Sequence, residues 1–241
     1  MDIRSKQLRC DTLKLALEYN NEHIGPAFSI IELLIAIYDY MQPEDKFILS
    51  KGHGCLSWYA LLRQKGFNPI ISGHPDIDPE QGIFATTGSL GHGLPLGTGM
   101  ALSRKLSDIC GQIYVLMGDG ECQEGTTWES LLFAAHHKLN NLTLIVDRNG
   151  LQALGEVSDI LHLGSLWAKF SAFGWCPIEI DGHNFEDINY ALREKSKRPK
   201  AIIANTIKGK GLPQAEGNPM WHNYLPGGGE LEQCLKDLSI H

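Results

Sequence analysis

The sequence predicts an α/β fold, a three-layer sandwich in which a central, mostly parallel sheet is flanked by helices. Three observations predict it. Two short apolar runs, Ile113–Met117 and Leu142–Val146, are separated by a helical stretch from Gly125 to Leu139. Strand–helix–strand units of this kind take parallel strands and a right-handed crossover. Five apolar runs end abruptly in polar, Gly-rich loops, at His53, Asp119, Asn149, Asp181 and Lys208. The 241 residues are 43% hydrophobic, enough for one sizeable core. The chain 1–241 therefore reads as a single domain, with 209–241 as a C-terminal loop and short helix.

In chain order, residues 4–20 read as a helix with Leu8, Leu13, Ala16 and Leu17 near one face. The loop Asn20 to Pro26 ends it. Ser29 and Glu32 have the spacing of a capping box opening a second helix to about Tyr40. Phe47–Leu49 is a brief strand running into Ser50-Lys51-Gly52-His53-Gly54, followed by a helix from Cys55 to about Gln64. Residues 66–91 form a long Gly/Pro-rich passage. A loop of that length in a compact domain is functional or disordered, and its apolar content favours function. Residues 93–106 are helical by period but carry Gly93, Gly97 and Gly99. Each glycine costs a helix about 1 kcal/mol relative to Ala, which implies close packing by another backbone or a ligand. After the 113–151 unit come a helix at 164–174, a strand Pro177–Ile180, a helix capped by Asn184 and reaching Lys197, a strand Ala201–Ala204, and a closing helix at 230–238.

Composition narrows the function. A formal charge of −7 argues against nucleic acid or an anionic membrane as main partner. The six cysteines include no C-x-x-C pair, so neither a zinc cluster nor a disulfide framework is suggested. The polar start at Met1 lacks the apolar core of a signal peptide, and no apolar run approaches the length of a membrane span. A reduced, cytoplasmic setting follows.

Parallel sheets bind ligands beyond the carboxyl ends of their strands. Asp119 and Asn149, 30 residues apart, both fall there. A carboxylate with an amide oxygen suits a hard cation that also takes oxygens from a phosphorylated ligand, as Mg²⁺ does. Gly118 and Gly120 let a backbone approach that ligand and offer it N–H groups. The competing reading is a plain Asp-Gly turn. His23, His53, His74, His92, His183 and His222 stand beside Gly, Pro or Asn in expected loops. Singly such histidines belong to surfaces; gathered at one sheet edge they suggest a site. His136 and His137 are adjacent on a helix, point to different faces and read as structural.

Gly118-Asp119-Gly120 followed by Asn149 resembles the diphosphate-binding motif of thiamine diphosphate enzymes. With Phe47–Gly54, Gly73–Pro75, Thr86–Gly93, Gly118–Gly125, Phe133–Leu139, Asp147–Gln152, Asp181–His183, Asn205–Gly211 and Trp221-His222, nearly the whole chain resembles the transketolase family, specifically the separately encoded N-terminal subunit of split transketolases. The resemblance implies a diphosphate-binding domain with defined roles. Asp119, Asn149 and the carbonyl of Leu151 would hold Mg²⁺, for which Ca²⁺ or Mn²⁺ could substitute. The Gly120-Glu121 segment, Asn149, His53, Lys208 and His222 would hold the cofactor's diphosphate. Gly88, Ser89 and Leu90 would pack beside its rings. His23, His74 and His222 would handle substrate hydroxyls, and Glu124 with Glu129 would join a carboxylate network between the two cofactor sites of a dimer. The cofactor supplies the carbanion chemistry and the protein moves protons, a task suited to histidine. The activity implied is transfer of a two-carbon ketol unit from a ketose to an aldose, phosphorylated or not.

Two departures mark the substrate end. Asn21-Glu22 stands where the family has Ser-Gly, and Pro26 where Gly or Ser is usual. The family's pyrimidine-binding domain, which supplies the activating glutamate, does not follow before His241. A dimer of heterodimers, completed by a separate C-terminal subunit, is therefore expected. Rival readings are a related enzyme acting on an unusual sugar or other donor, the α-subunit of a 2-oxo acid dehydrogenase, a non-catalytic cofactor-holding subunit, and a zinc hydrolase, for which no ligand spacing is present.

Overall fold

The structure, a computed structural model, describes residues 2–238. Five strands, β1 (Lys46–Leu49), β2 (Ile113–Gly118), β3 (Leu142–Arg148), β4 (Cys176–Asp181) and β5 (Lys200–Asn205), form one sheet in the order β1-β2-β3-β5-β4. Every pairing is parallel, with Leu49 opposite Leu116 and Val146 opposite Ile203. Alternate residues of β1, β2, β3 and β5 feed two cores, while β4 contributes to one of them. On one face Phe47, Leu116, Ile145 and Ile202 pack against α1 (Ile3–Glu18), α3 (Ile31–Tyr40), α4 (Cys55–Gln64) and α9 (Phe185–Arg193). On the other, Ile48, Val115, Leu144 and Ile203 pack against α5 (Gly93–Leu106), α6 (Gly125–His136) and α8 (Leu166–Ala172). Burial on both faces explains why the strands read as continuous apolar runs rather than alternating ones.

The expected elements are present with shifted ends. The helix expected to reach Leu139 stops at His136, and the one expected to reach Lys197 stops at Arg193. Short helix α2 (Ile24–Phe28) begins inside the loop expected from Asn20 to Pro26, short helix α7 (Val157–Ile160) lies in a stretch assigned no element from the sequence, and α10 (Gly228–Asp237) closes the fold. The last part of the expected 209–241 segment, 239–241, and Met1 lie outside the described residues.

The capping box at Ser29 and Glu32 does not form. Ile30 takes the N-cap position with no side-chain cap bond. Both polar side chains are drawn into buried tertiary bonds instead. Ser29 Oγ donates to Asp147 at 2.7 Å. Glu32 accepts from Arg9 at 2.7 and 3.0 Å and lies 3.0 Å from His183 Nδ1. Burial would raise Glu32, but the hydrogen bonds of His183 and Arg9 hold it at about 2. Arg9 Nε also donates to the carbonyl of Lys210 at 2.6 Å, and His183 Nε2 accepts from the N–H of Ile207 at 2.8 Å. This brace grips the loop after β5 on both sides of Lys208.

The glycines of α5 divide. A Cβ on Gly97 would lie 2.4 Å from Val115 Cγ2, and one on Gly93 2.4 Å from Ser50 Cβ, so both are forced by contact with β2 and the loop after β1. Gly99 meets nothing within 4 Å, so close packing does not account for it within this chain.

Candidate active site

The loops after β1, β2, β3 and β5 converge on a cavity of about 280 Å³ at the carboxyl edge of the sheet. Its lining includes Asp119, Gly120, Asn149, Leu151, Lys208 and the histidines 23, 53, 74 and 222. The loop after β4 does not take part. β4 lies beyond β5 in the sheet order, Asp181 and His183 are absent from the cavity lining, and His183 serves the brace.

The floor is a closed polar network. Asp119, 4% exposed, accepts from the N–H of Gly120 at 2.9 Å and of Gly150 at 2.7 Å. Burial first, then neighbouring Asp147, raise its pKa to about 6. Asn149 Nδ2 donates to Asp147 Oδ2 at 2.9 Å, and Asn149 Oδ1 accepts from the N–H of Leu151 at 3.0 Å. Asp147 also takes Lys51 Nζ at 2.5 Å and the Thr206 hydroxyl. Burial pushes Asp147 up, but Lys51 and the hydroxyls of Thr206 and Ser29 hold it below the ordinary carboxylate value. Lys51 is thereby spent on Asp147, leaving Asp119 a buried carboxylate with no side-chain cation bonded to it. Asp119, the Asn149 oxygen and the Leu151 carbonyl all border the same space. This donor set, rich in oxygen and short of positive charge, fits a hard divalent cation.

Lys51, Asp147, Ser29 and Thr206 were not among the site residues expected from the sequence. The available signal was a carboxylate ending the apolar run of β3 two residues before Asn149.

Glu121 borders the cavity but spends its oxygens on the fold. It accepts from Ser50 Oγ at 2.5 Å and from the N–H groups of Gly91 at 2.9 Å and Gly118 at 2.8 Å. It ties together three loops around the site. Gly88 has φ +143°, and a Cβ there would lie 2.9 Å from His74 Cδ2, so only glycine lets this loop pass the ring. Gly88 and Leu90 line the cavity, whereas Ser89 is exposed, 3.3 Å from His92 Nδ1, and outside the lining. His92 is likewise exposed. Glu124 and Glu129 are exposed on α6, with Glu124 at its N-cap, and neither lines the cavity.

The rim is made of imidazoles. His53 stacks on His222 with centroids 5.2 Å apart, and His23 lies 5.9 Å from each and 6.1 Å from His74. Lys208 Nζ lies 2.7 Å from His222 Nδ1, and contacts the carbonyls of Gln152 at 3.2 Å and Leu151 at 3.4 Å. Burial, then the Lys208 ammonium, lower His222 to about 3; burial, then Lys51, lower Lys208 to about 8. Burial keeps His53 well below the ordinary histidine range. The site thus offers imidazoles at its mouth, with His53 and His222 held neutral by burial, and cation-binding oxygens with lysine at its base.

Fold and cavity together define a cofactor-binding domain with its pocket at the carboxyl edge of a parallel sheet. The family described as transketolase, thiamine diphosphate binding domain, matches residues 6–239, and the chain belongs to it. It is the thiamine diphosphate-binding, N-terminal part of a transketolase-type transferase. It is 34% identical over 264 residues to one subunit of the apulose-4-phosphate transketolase of Phocaeicola vulgatus, covering 99% of this chain and 94% of that one. It is 38% identical over 226 residues to the 6-deoxy-6-sulfo-D-fructose transketolase subunit of a Clostridium species, covering 83% and 82%. It is also similar to the crystal structure of Campylobacter jejuni transketolase, with TM-score 0.85 and 28% identity. That match covers 98% of this chain but 42% of the solved one, so the chain spans less than half the length of that transketolase.

Proposed function

We propose that this chain is the diphosphate-binding subunit of a split transketolase, a single domain working in the cytoplasm with a separate pyrimidine-binding subunit. Two heterodimers pair through a self-associating face. The observation that carries the reading is the convergence of four imidazoles, those of His23, His53, His74 and His222, with Asp119, Asn149, the Leu151 carbonyl and Lys208 on one cavity. Asp119, Asn149 and Leu151 hold Mg²⁺. The Gly120 main chain, His53, Lys208 and His222 hold the diphosphate, and Gly88 and Leu90 flank the ring system. When bound, thiamine diphosphate supplies the carbanion that takes a two-carbon unit from a ketose to an aldose. His23, His74 and His222 bind the sugar hydroxyls and move their protons. The exposed apolar side chains Leu96, Leu132 and Phe133 on α5 and α6 support the self-associating face, which carries Glu124 and Glu129 toward the second copy.

The relatives' names point to different donors, so the assay must offer several. The chain, its partner subunit, thiamine diphosphate and Mg²⁺ are mixed with ribose 5-phosphate and, in turn, xylulose 5-phosphate, apulose 4-phosphate and 6-deoxy-6-sulfofructose. Turnover with one of these donors, only when both subunits are present, is the expected result. Robust turnover by this chain alone would sink the shared-site reading.

A further inference from the structure

Asn21 is 9% exposed and stands two residues before His23. Its loop is pinned. The Asn21 N–H donates to the Ala16 carbonyl at 2.9 Å, and the Glu22 carbonyl accepts from the N–H groups of Ile24 and Tyr224, both at 2.9 Å. Asn21 Oδ1 lies 3.1 Å from the backbone nitrogen of His23 and 3.2 Å from His23 Nδ1. The first contact decides which end of the amide faces His23. A backbone N–H only donates, so it meets the carbonyl oxygen; turning the amide over would set an NH₂ group against it. That same oxygen faces Nδ1 and only accepts, so Nδ1 carries the proton. A neutral imidazole protonated at Nδ1 keeps its lone pair on Nε2.

The surroundings keep the ring neutral. Burial and then His74 lower its basicity, Lys208 acts in the same direction, and Glu22 opposes them. Among the described residues Nε2 has no hydrogen-bond partner. His23 borders both the main cavity and an adjoining recess of about 370 Å³. That recess is lined by Tyr19, Asn20, Glu22, Ser72 and Asn223, among others, with no lysine or arginine. It suits neutral hydroxyl groups better than a phosphate or sulfonate.

We propose that Asn21 is a positioning residue that locks His23 in the Nδ1–H tautomer, so that Nε2 serves as proton acceptor toward a sugar hydroxyl. The hydroxyl proton moves to Nε2, and the resulting imidazolium keeps its Nδ1–H on Asn21. The identity of the hydroxyl rests on the transketolase reading; the tautomer does not.

Nitrogen-15 NMR of the full chain with labelled histidine tests the tautomer directly, above the pH range in which histidine is charged. The His23 signals are assigned by difference against His23→Gln. The expected spectrum has a protonated Nδ1 and a bare Nε2. A protonated Nε2 overturns the proposal and leaves the transketolase reading untouched.

In the assembled enzyme, Asn21→Leu lowers kcat/KM by about 10²-fold with cofactor affinity unchanged. Activity equal to wild type would overturn the proposal. Asn21→Asp keeps the acceptor but adds a charge, which holds the imidazole proton to higher pH. The acid limb of the kcat/KM profile therefore moves up by about one unit. The other groups around His23, namely His53, His74, His222, Lys208 and Glu22, are the same in both variants, so an unmoved limb also overturns the proposal. Absence of turnover by the wild-type assembly would count against the transketolase reading alone, because the NMR result is read without turnover.

Discussion

The floor and the rim of the cavity share one pocket and are built in opposite ways. On the floor, Asp147 alone gathers Lys51, Ser29, Asn149 and Thr206, and Glu121 gathers Ser50 and two backbone N–H groups. At the rim, His53 and His74 make no side-chain hydrogen bond among the described residues, and His23 and His222 make one contact each through Nδ1. A floor whose groups are fixed in advance loses little freedom when a cofactor is seated on it. A rim with free imidazole nitrogens can serve hydroxyls that arrive and leave at each turnover.

Substitutions separate the two regions. Asp119→Ala removes the one carboxylate of the proposed metal set, and cofactor binding in Mg²⁺ is lost while the circular dichroism of the chain is unchanged. Unaltered affinity by calorimetry of the assembled enzyme would show that the floor does not hold the metal. Lys51→Met strands the buried charge of Asp147, and breaking such a pair costs about 3–5 kcal/mol. His74→Gln, on the exposed side of the rim, changes stability by about 0.5 kcal/mol or less. Urea titrations of the two variants should differ by the whole of that gap, and similar midpoints would erase the distinction.

Asp119 and His222, one group from each region, titrate with opposite signs. Asp119 has its pKa raised to about 6, so the folded chain holds that proton more tightly than the unfolded one. Without metal, its contribution therefore lowers stability as pH rises from about 4 to about 6, by about 3 kcal/mol in all. His222, lowered to about 3, slopes the other way. Below the ordinary histidine range the unfolded chain binds its proton and the folded chain does not, so stability falls with falling pH. Urea midpoints across that window should lose the first slope in Asp119→Asn and the second in His222→Gln. Equal profiles in both variants would mean that neither group is held as the cavity geometry implies. The finest distinction is Ser89→Ala. Ser89 lies outside the lining, and its substitution leaves cofactor affinity where it was, whereas a measurable loss would extend the floor's machinery to that loop.

The parts legible in the sequence were those encoded locally. β2, α6 and β3 could be read because each apolar run ends at a Gly- or Asn-bearing loop, and parallel pairing follows from the intervening helix. The position of β4 at the outer edge was not legible. Nothing in the Asp181–His183 stretch distinguishes a strand end that reaches the cavity from one that does not. Ser29 and Glu32 misled because their spacing suggested a cap, while their partners Asp147 and His183 stand 118 and 151 residues away. Glu121 has the chemistry of a ligand, but three convergent donors turn it into a brace. Lys51 was visible in Ser50–Gly54, yet its role depends on a carboxylate 96 residues later.

The brace that grips the Lys208 loop sets a timetable for synthesis. Arg9 leaves the ribosome early, and the Lys210 carbonyl it bonds follows 201 residues later. At about 5–20 residues per second that is a wait of roughly 10–40 s. Through that interval the first helix can already pack on α3 and α4, but its guanidinium lacks the carbonyl that ties it to the Lys208 loop. The cofactor pocket is therefore among the last parts of the nascent chain to close.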